Sequence, residues 1–228
     1  MIFTYQNLPI NLSLTVFNET IYRSESVNFL GVLLDYKLTF SIHIKNMLSK
    51  VSKIQGLFYR LRDFLPKFVL LKLYYSLFYS KVTYCITVWG CAAKTHTDKL
   101  FIMQKKLIKI MSGLSIYDSS DNLFKELYIL KFHEIFKLFC LNQTYKIFNE
   151  NHNSFEYLIQ YIDGIQPNHP YATRDDSVRL PSVSHGRIKQ ALVYQGIQLW
   201  NKLPLLIQSS RNSKIFKNNC KKYFIDFY

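Results

Sequence analysis

Groups that commonly build metal sites and catalytic centres are sparse in this sequence. The four cysteines, Cys85, Cys91, Cys140 and Cys220, are far apart, and none forms the Cys-x-x-Cys pair that brings two thiolates to one zinc ion. The histidines are equally scattered, and no two of them are four residues apart. We therefore expect no metal site, and reduced, mostly buried thiols in an intracellular protein. His43, at the start of a predicted helix, is expected to have a structural role.

A long uncharged apolar run is also missing. Residues 1–17 lack a basic leader and a small-residue cleavage site, so no secretory signal is predicted. The most apolar window, Phe68 to Ala93, is interrupted by Lys72 and Lys81, and no uncharged run reaches the roughly 20 residues of a membrane span. The sequence therefore predicts no membrane segment and a location in the cytoplasm or nucleus.

Acidic residues are few, and positive charge is the main excess of the composition. The chain has 228 residues, with 29 lysines and arginines against 15 aspartates and glutamates, which gives a net charge of +14. Such an excess favours polyanionic partners, most often nucleic acid. A second explanation stays open: Lys, Asn, Ile, Tyr and Phe are all abundant and are all encoded by A/T-rich codons, so the charge would record genome composition.

A change of hydrophobic period near residue 41 divides the N-terminal part of the chain. Residues 27–34 alternate as in a strand, and Gly31 interrupts the run where a backbone could turn sharply. From Ser41 onward the apolar residues recur every three or four positions, which is the spacing of one helix face. The pattern predicts extended segments up to Asp35 and then a basic amphipathic helix over Ser41–Phe64, ended before Pro66.

Most of the remaining chain is predicted to be helical. The segments 67–80 and 82–91 are apolar nearly all round, as in helices buried within a bundle. Their aromatic residues are interpreted as core rather than as platforms for stacking bases: Tyr74, Tyr75, Phe78, Tyr79, Tyr84 and Trp89. Further helices are predicted over Thr97–Ser112, Leu123–Leu130, Phe132–Phe148, Ile188–Leu203 and Lys214–Phe227. The predicted fold class is mainly α, with a short N-terminal β-hairpin (1–40), a helical bundle (41–149), an irregular linker (150–186) and a small C-terminal helical unit (187–228).

Lysines and arginines line the outer faces of two of these helices. Contacts to a nucleic-acid backbone that ignore sequence need such side chains on a rigid face. The first set of candidates lies on the basic helix and just after it: Lys45, Lys50, Lys53, Arg60, Arg62 and Lys67. The second set lies on the helix over 97–112: Lys105, Lys106 and Lys109. The competing interpretation of each residue is an ordinary solvated helix face.

The stretch NFLGVLLDYKLTFSIHI, residues 28–44, resembles the segment that follows the polymerase core in reverse transcriptases of non-LTR retrotransposons, the jockey-like and related LINE elements. In that family a strand pair of the form Phe-Leu-Gly-Val, the primer grip, leads into the helical thumb. Phe29, Leu30, Gly31 and Val32 occupy those positions here. Similar fragments follow in order along nearly the whole chain: Leu65-Pro66, Leu73-Tyr74, Tyr84-Cys85, Val88-Trp89-Gly90, Gln104-Lys105-Lys106, Thr173-Arg174, Pro181, LWNKLP (199–204), Ile207, Ser213 and Phe216-Lys217.

The resemblance implies a primer grip, a thumb-like bundle and a C-terminal extension. These parts would bind RNA and RNA–DNA duplexes through the nucleic-acid backbone, and the missing palm and fingers of the polymerase would be a further partner. The family's carboxylates, which hold two Mg²⁺ ions, belong upstream of the grip, and only 28 residues precede Phe29 here. The one Asp-Asp pair, Asp175-Asp176, is flanked by polar residues and prolines. We therefore predict no catalytic residue, metal or cofactor in this chain, which would be a fragment of an RNA-directed DNA polymerase and inactive alone. Mg²⁺ would be needed only by the intact polymerase.

Two other functions stay open. One is a non-enzymatic nucleic-acid-binding module derived from such a fragment, which would make the same contacts. The other is a helical scaffold or membrane-associated protein whose basic charge reflects codon usage. Binding that weakens steeply with salt would separate the first from the second, because only backbone binding displaces counterions.

Overall fold

The computed structural model describes residues 14–21, 24–115, 117–149, 178, 180 and 192–227. Two antiparallel hairpins come first, β1 (Leu14–Val16) with β2 (Glu19–Ile21) and β3 (Ser26–Phe29) with β4 (Val32–Asp35). The helices are α1 (Ser41–Leu61), α2 (Lys67–Leu73), a π-helix (Tyr74–Tyr79), α3 (Ser80–Thr83), α4 (Ile86–Trp89), α5 (Lys94–Ser112), α6 (Asp121–Glu126), α7 (Phe132–Asn149), α8 (Leu192–Trp200), α9 (Leu205–Gln208) and α10 (Ser213–Asp226). The predicted class, mainly α after a short N-terminal β structure, is confirmed, with two hairpins where one was expected.

The described elements group into two compact units. The first unit is Met1–Cys85 with Ala92–Gly113, and the second is Ile86–Cys91 with Leu114–Tyr228. The division at residues 40, 149 and 186 stays a prediction, and the predicted linker lies outside the described residues except for Val178 and Leu180.

The core of the first unit forms where α1 packs against α5. The predicted apolar stripe of α1 is buried, and the facing side of α5 supplies its partners: Ile44, Met47, Val51, Ile54 and Phe58 from α1, and Leu100, Leu107, Ile108 and Met111 from α5. Gln55 Nε2 on α1 also donates a hydrogen bond of 2.7 Å to the Met103 carbonyl of α5. These contacts fix the side of α1 that faces solvent.

The segment from α2 to α3 departs from the predicted α-helix because its buried residues are spaced by four. Leu70, Tyr74, Phe78 and Val82 are all buried, at 0–1% exposure. In an α-helix each step of four residues rotates the side chain about 40° further round the axis, so such a stripe would leave the core. The π-helix, with its i→i+5 hydrogen bonds, winds more slowly and keeps the stripe on one side. Gln104 of α5 donates a 2.8 Å hydrogen bond to the buried Tyr74 hydroxyl, and burial raises the pKa of Tyr74.

The predicted helix over Val82–Cys91 is wrong at its centre. Tyr84 has an extended backbone (φ −62°, ψ 118°) and Cys85 has φ 50°, so the helix breaks between α3 and α4. A residue with a side chain rarely adopts a positive φ, and one such residue suffices to end a helix. The break also turns Tyr84 out of the core in which the sequence had predicted it, since half of this side chain is exposed.

The second unit is built on α7. Its Tyr145 ring stacks on Phe216 of α10 with centroids 4.4 Å apart, and Trp200 of α8 lies 5.8 Å from the same ring. The backbones of α7 and α8 approach so closely that a Cβ on Gly196 would collide with the Thr144 hydroxyl. None of the described helices is long and apolar enough to cross a membrane.

Candidate nucleic-acid interface

The grip-like residues form the tip of the β3–β4 hairpin. Phe29 pairs with Val32, so Leu30 and Gly31 are the two turn residues. Their φ values of 47° and 82° are both positive, as a type I′ turn requires. Phe29 and Leu30 are 61% and 73% exposed, whereas Val32 is buried. The structure therefore presents two large apolar side chains to solvent at a tight turn, and Val32 anchors the turn from beneath.

Tyr84 supports this tip from a distant part of the chain. Its hydroxyl donates a 2.6 Å hydrogen bond to the Leu30 carbonyl. Its Cε1 lies 3.5 Å from the position that a Cβ on Gly31 would take, which is ordinary van der Waals contact. No local pattern in the sequence indicates this role, because Tyr84 and Leu30 are 54 positions apart.

Asp35 joins the hairpin to α1. Its buried carboxylate accepts hydrogen bonds from the Thr39 amide (2.9 Å), the Thr39 hydroxyl (3.1 Å) and the Phe40 amide (2.7 Å). These donors immediately precede α1, where no residue provides a side-chain N-cap. We define Asp35, Thr39 and Phe40 as the clasp. An aspartate four residues before Thr-Phe-Ser was the sign in the sequence, since Asp side chains commonly bind backbone amides nearby.

His43 makes a second connection between the hairpin and α1. Its Nδ1 accepts a 3.3 Å hydrogen bond from the Leu33 amide of β4, so this nitrogen carries no proton. Burial, and to a smaller extent the nearby Lys50 ammonium, lower the pKa of His43 from 6.5. A neutral imidazole that holds β4 against α1 fits the structural role expected of it.

The solvent face of α1 carries four of the predicted basic residues. Lys45, Lys50, Lys53 and Arg60 are all exposed, and α1 has no acidic residue. On a helix with 3.6 residues per turn these four positions fall within an arc of about 140°. Gly56 lies on the same face, and nothing approaches within 4 Å of the position of its missing Cβ. The face is therefore cationic and open.

Arg62 and Lys67 lie in and after the turn that follows α1. Lys67 is exposed, and Arg62 is partly buried. The Arg62 guanidinium lies 4.3 Å from the centre of the Tyr59 ring, and its Nε is 3.5 Å from Asp63 Oδ1. Arg62 is thus already engaged with neighbours, whereas Lys67 projects into solvent.

The second basic set, on α5, is less accessible. Lys106 is exposed, but Lys105 and Lys109 are half-buried. The Lys105 ammonium lies 4.7 Å from the centre of the Phe101 ring, in a cation–π contact. This face offers a polyanion fewer free ammonium groups than the face of α1.

Positive charge is concentrated in the part of the sequence that forms α1 to α5. Residues 36–113 hold fourteen lysines and arginines and two acidic residues, Asp63 and Asp98, a net charge of +12. Residues 114–228 hold as many basic residues, fourteen, but ten acidic ones. The second segment is longer, 115 residues against 78, so the first is both richer in basic residues and poorer in acidic ones. Codon usage that enriches lysine does not account for the scarcity of acidic residues.

Groups that could bind a metal ion are not gathered anywhere in the part of the chain that the structure describes. The four cysteines are free, and burial raises the pKa of the Cys140 and Cys220 thiols to about 12, so both stay protonated at neutral pH. Asp175-Asp176 lies outside the described residues.

Comparison with known proteins gives two related sequences. The chain is 32% identical over 111 residues to the RNA-directed DNA polymerase from mobile element jockey of Drosophila melanogaster, which covers 47% of this chain and 12% of that protein. It is 29% identical over 107 residues to the jockey polymerase of Drosophila funebris, which covers 45% of this chain and again 12% of the relative.

No family model and no solved structure matches the chain. The match to the two jockey polymerases spans about an eighth of the length of each of them. Within that span it confirms the resemblance that the ordered fragments predicted. Over about half of its length, the chain is similar to the RNA-directed DNA polymerases of jockey mobile elements.

Proposed function

We propose that this chain contributes the template–primer-binding part of an RNA-directed DNA polymerase, holding an RNA–DNA or RNA duplex by its backbone. In this proposal the β3–β4 tip and the solvent face of α1 act as primer grip and thumb. The palm and fingers, with their carboxylates and Mg²⁺, would supply the chemistry.

The observation that carries the proposal is the local imbalance of charge. Residues 36–113 have a net charge of +12, and α1 presents lysines and an arginine on a face without carboxylates. Phosphates on an A-form duplex are recognised through such sequence-independent contacts. A uniform codon bias would have spread the excess over the whole chain.

The connection between the hairpin and α1 supports the same assignment. The clasp and His43 hold β4 against the start of α1 by hydrogen bonds to buried or half-buried groups. An exposed apolar tip is thereby fixed relative to a cationic helix face. Contacts to a duplex from both surfaces at once would then need little further ordering, which favours binding.

The test is duplex binding measured by fluorescence anisotropy over a range of salt. Replacing Lys50, Lys53 and Arg60 with glutamine leaves the buried stripe of α1 untouched, so the helix should form as before. Each lost phosphate contact should lower the slope of log affinity against log salt by about one unit. The expected result is a slope lower by about three units.

The matched control is the same substitution at Lys105, Lys106 and Lys109. Because two of these side chains are half-buried, their loss should reduce the slope by less. Equal losses at the two faces would indicate diffuse attraction and contradict the assignment of α1. Binding that is insensitive to salt, or undetectable at low salt, would contradict the proposal as a whole.

A separate measurement concerns catalysis by the chain alone. We expect no primer extension, because the one Asp-Asp pair lies in a polar, proline-flanked segment rather than between hydrophobic strands. Incorporation of nucleotides in the presence of Mg²⁺ or Mn²⁺ would contradict this expectation.

A further inference from the structure

Aromatic rings are exposed at the junction of α1 and α2, interleaved with basic residues. Phe64 and Phe68 are 83% and 63% exposed, and Tyr59 is 59% exposed. Arg62, Lys67 and Lys72 lie between and after them in the sequence. We define these six residues as the elbow. The three rings lie within nine positions of one another along the chain. Contiguous exposed apolar surface marks a site of interaction on a protein.

The backbone of the elbow is held firmly. The Phe64 and Leu65 amides donate to the Leu61 carbonyl at 3.1 and 3.0 Å, which continues the hydrogen bonding of α1 into the turn. Pro66 is the N-cap residue of α2, and its carbonyl accepts hydrogen bonds from the Val69 and Leu70 amides. Leu70 is buried beneath the turn. Phe64 and Phe68 are therefore exposed on a hydrogen-bonded turn and at the start of a helix.

Cations cover part of the aromatic surface of the elbow. The Lys72 ammonium lies 5.7 Å from the centre of the Phe68 ring, and the Arg62 guanidinium lies 4.3 Å from that of Tyr59. Asp63 is the one carboxylate in the stretch from Tyr59 to Lys72. Rings flanked by ammonium and guanidinium groups suit a ligand that has flat apolar faces joined by anions. Single-stranded nucleic acid has this chemistry.

We propose that the elbow binds unpaired nucleotides, with bases stacked on Phe64 and Phe68 and phosphates beside Lys67 and Lys72. The inference shares with the proposed function the class of partner, nucleic acid, and two candidate residues, Arg62 and Lys67. The contact on the rings differs, because a duplex keeps its base faces stacked internally and does not offer them to Phe64 and Phe68. The two proposals can therefore fail independently.

The experiment compares binding of the full chain to an oligothymidine of about twelve nucleotides and to a blunt RNA–DNA duplex. The double substitution F64A/F68A should weaken oligothymidine binding about 5- to 150-fold for each ring that stacks. The salt slope should be unchanged, since stacking releases no counterions. Duplex binding should also be unchanged. Weakening of duplex binding by the same factor would overturn the proposal.

A leucine substitution separates stacking from a general apolar contact. F64L/F68L keeps apolar side chains but removes the ring faces, so it should lose as much affinity for oligothymidine as the alanine variant. Retained affinity would overturn the stacking contact. A second outcome would also overturn it: ring-dependent binding to phosphatidylcholine–phosphatidylserine vesicles without binding to oligothymidine, which would indicate a membrane surface.

Two further variants report on the elbow directly. F64W places an exposed indole at the site, and its fluorescence should be quenched when oligothymidine binds, against the buried background of Trp89 and Trp200. Absence of quenching at saturation would overturn the proposal. Phe17 is more exposed than Phe64, 98% against 83%, but lies in the β1–β2 turn, so F17A should have no effect. An equal loss in F17A would indicate nonspecific adhesion of exposed rings and overturn the proposal as well.

Discussion

Removal of the Asp35 carboxylate should destabilise the first unit more than any other single substitution in the hairpin. Asp35→Ala leaves the buried Phe40 amide and the half-buried Thr39 amide without their acceptor. The Thr39 hydroxyl keeps its 3.1 Å contact with the Ser41 hydroxyl and adds little to the loss. A hydrogen bond to a charged group contributes about 1.5–3 kcal/mol, so loss of the two amide bonds should cost about 3–6 kcal/mol.

Two measurements check this value. Urea unfolding followed by far-UV circular dichroism gives the change in the free energy of unfolding. Hydrogen exchange of the Phe40 amide gives the local loss of protection. Asp35→Asn keeps one carbonyl acceptor and should cost about half as much, and Thr39→Val should cost about 1 kcal/mol. If Asp35→Ala costs less than about 1 kcal/mol, or leaves exchange at Phe40 unchanged, the clasp does not hold the hairpin to α1.

Three other substitutions test single features. Tyr84→Phe removes the hydrogen bond to Leu30 but keeps the ring, so it should cost about 1 kcal/mol and speed hydrogen exchange in the β3–β4 hairpin; unchanged exchange would mean that this bond does not support the tip. Gly56→Ala should stabilise the protein by up to about 1 kcal/mol in urea unfolding, because the site is helical and open; a loss of duplex affinity despite that gain would show that a ligand backbone approaches Gly56. Burial raises the pKa of Glu134 to about 7 from 4.5, so the folded state binds more protons than the unfolded state between these values, and stability should fall as pH rises through this window. Glu134→Gln should abolish that slope and be more stable than the wild type at pH 8 by urea midpoint, and an unchanged slope would assign the pH dependence to other groups.

Features with a repeating local pattern could be predicted from the sequence. The apolar residues from Ile44 to Phe58 predicted both the position of α1 and the side of it that faces solvent, because their spacing marks the buried face of a helix. The predicted end of this helix at Phe64 was three residues late, since the turn at 62–64 continues the helical hydrogen bonding. Exposure of the lysines of α1 followed from the same stripe.

Features that depend on distant residues could not be predicted in this way. Tyr84 is an aromatic residue in an apolar run, which is typical of a core position. It is exposed because the helix breaks at this residue and its hydroxyl donates a hydrogen bond to the Leu30 carbonyl. Lys105 and Lys109 share a helix side with Lys106 but are half-buried by their surroundings in the unit. The exposure of the elbow rings could not be predicted either, because Phe64 and Phe68 lie on either side of Pro66 and belong to no periodic pattern of apolar residues.

The π-helix is a place where the sequence can lose one residue without disturbing the buried core. Its wider turn contains one residue more than an α-helix would need to place Leu70, before it, and Val82, after it, on the same side. Deletion of a single exposed residue there, such as Ser76, should convert the segment to a regular α-helix and leave Leu70 and Val82 facing the same core. A deletion elsewhere in α1 or α5 would instead rotate every following side chain by about 100°. Related sequences of different length in this region can therefore share one core.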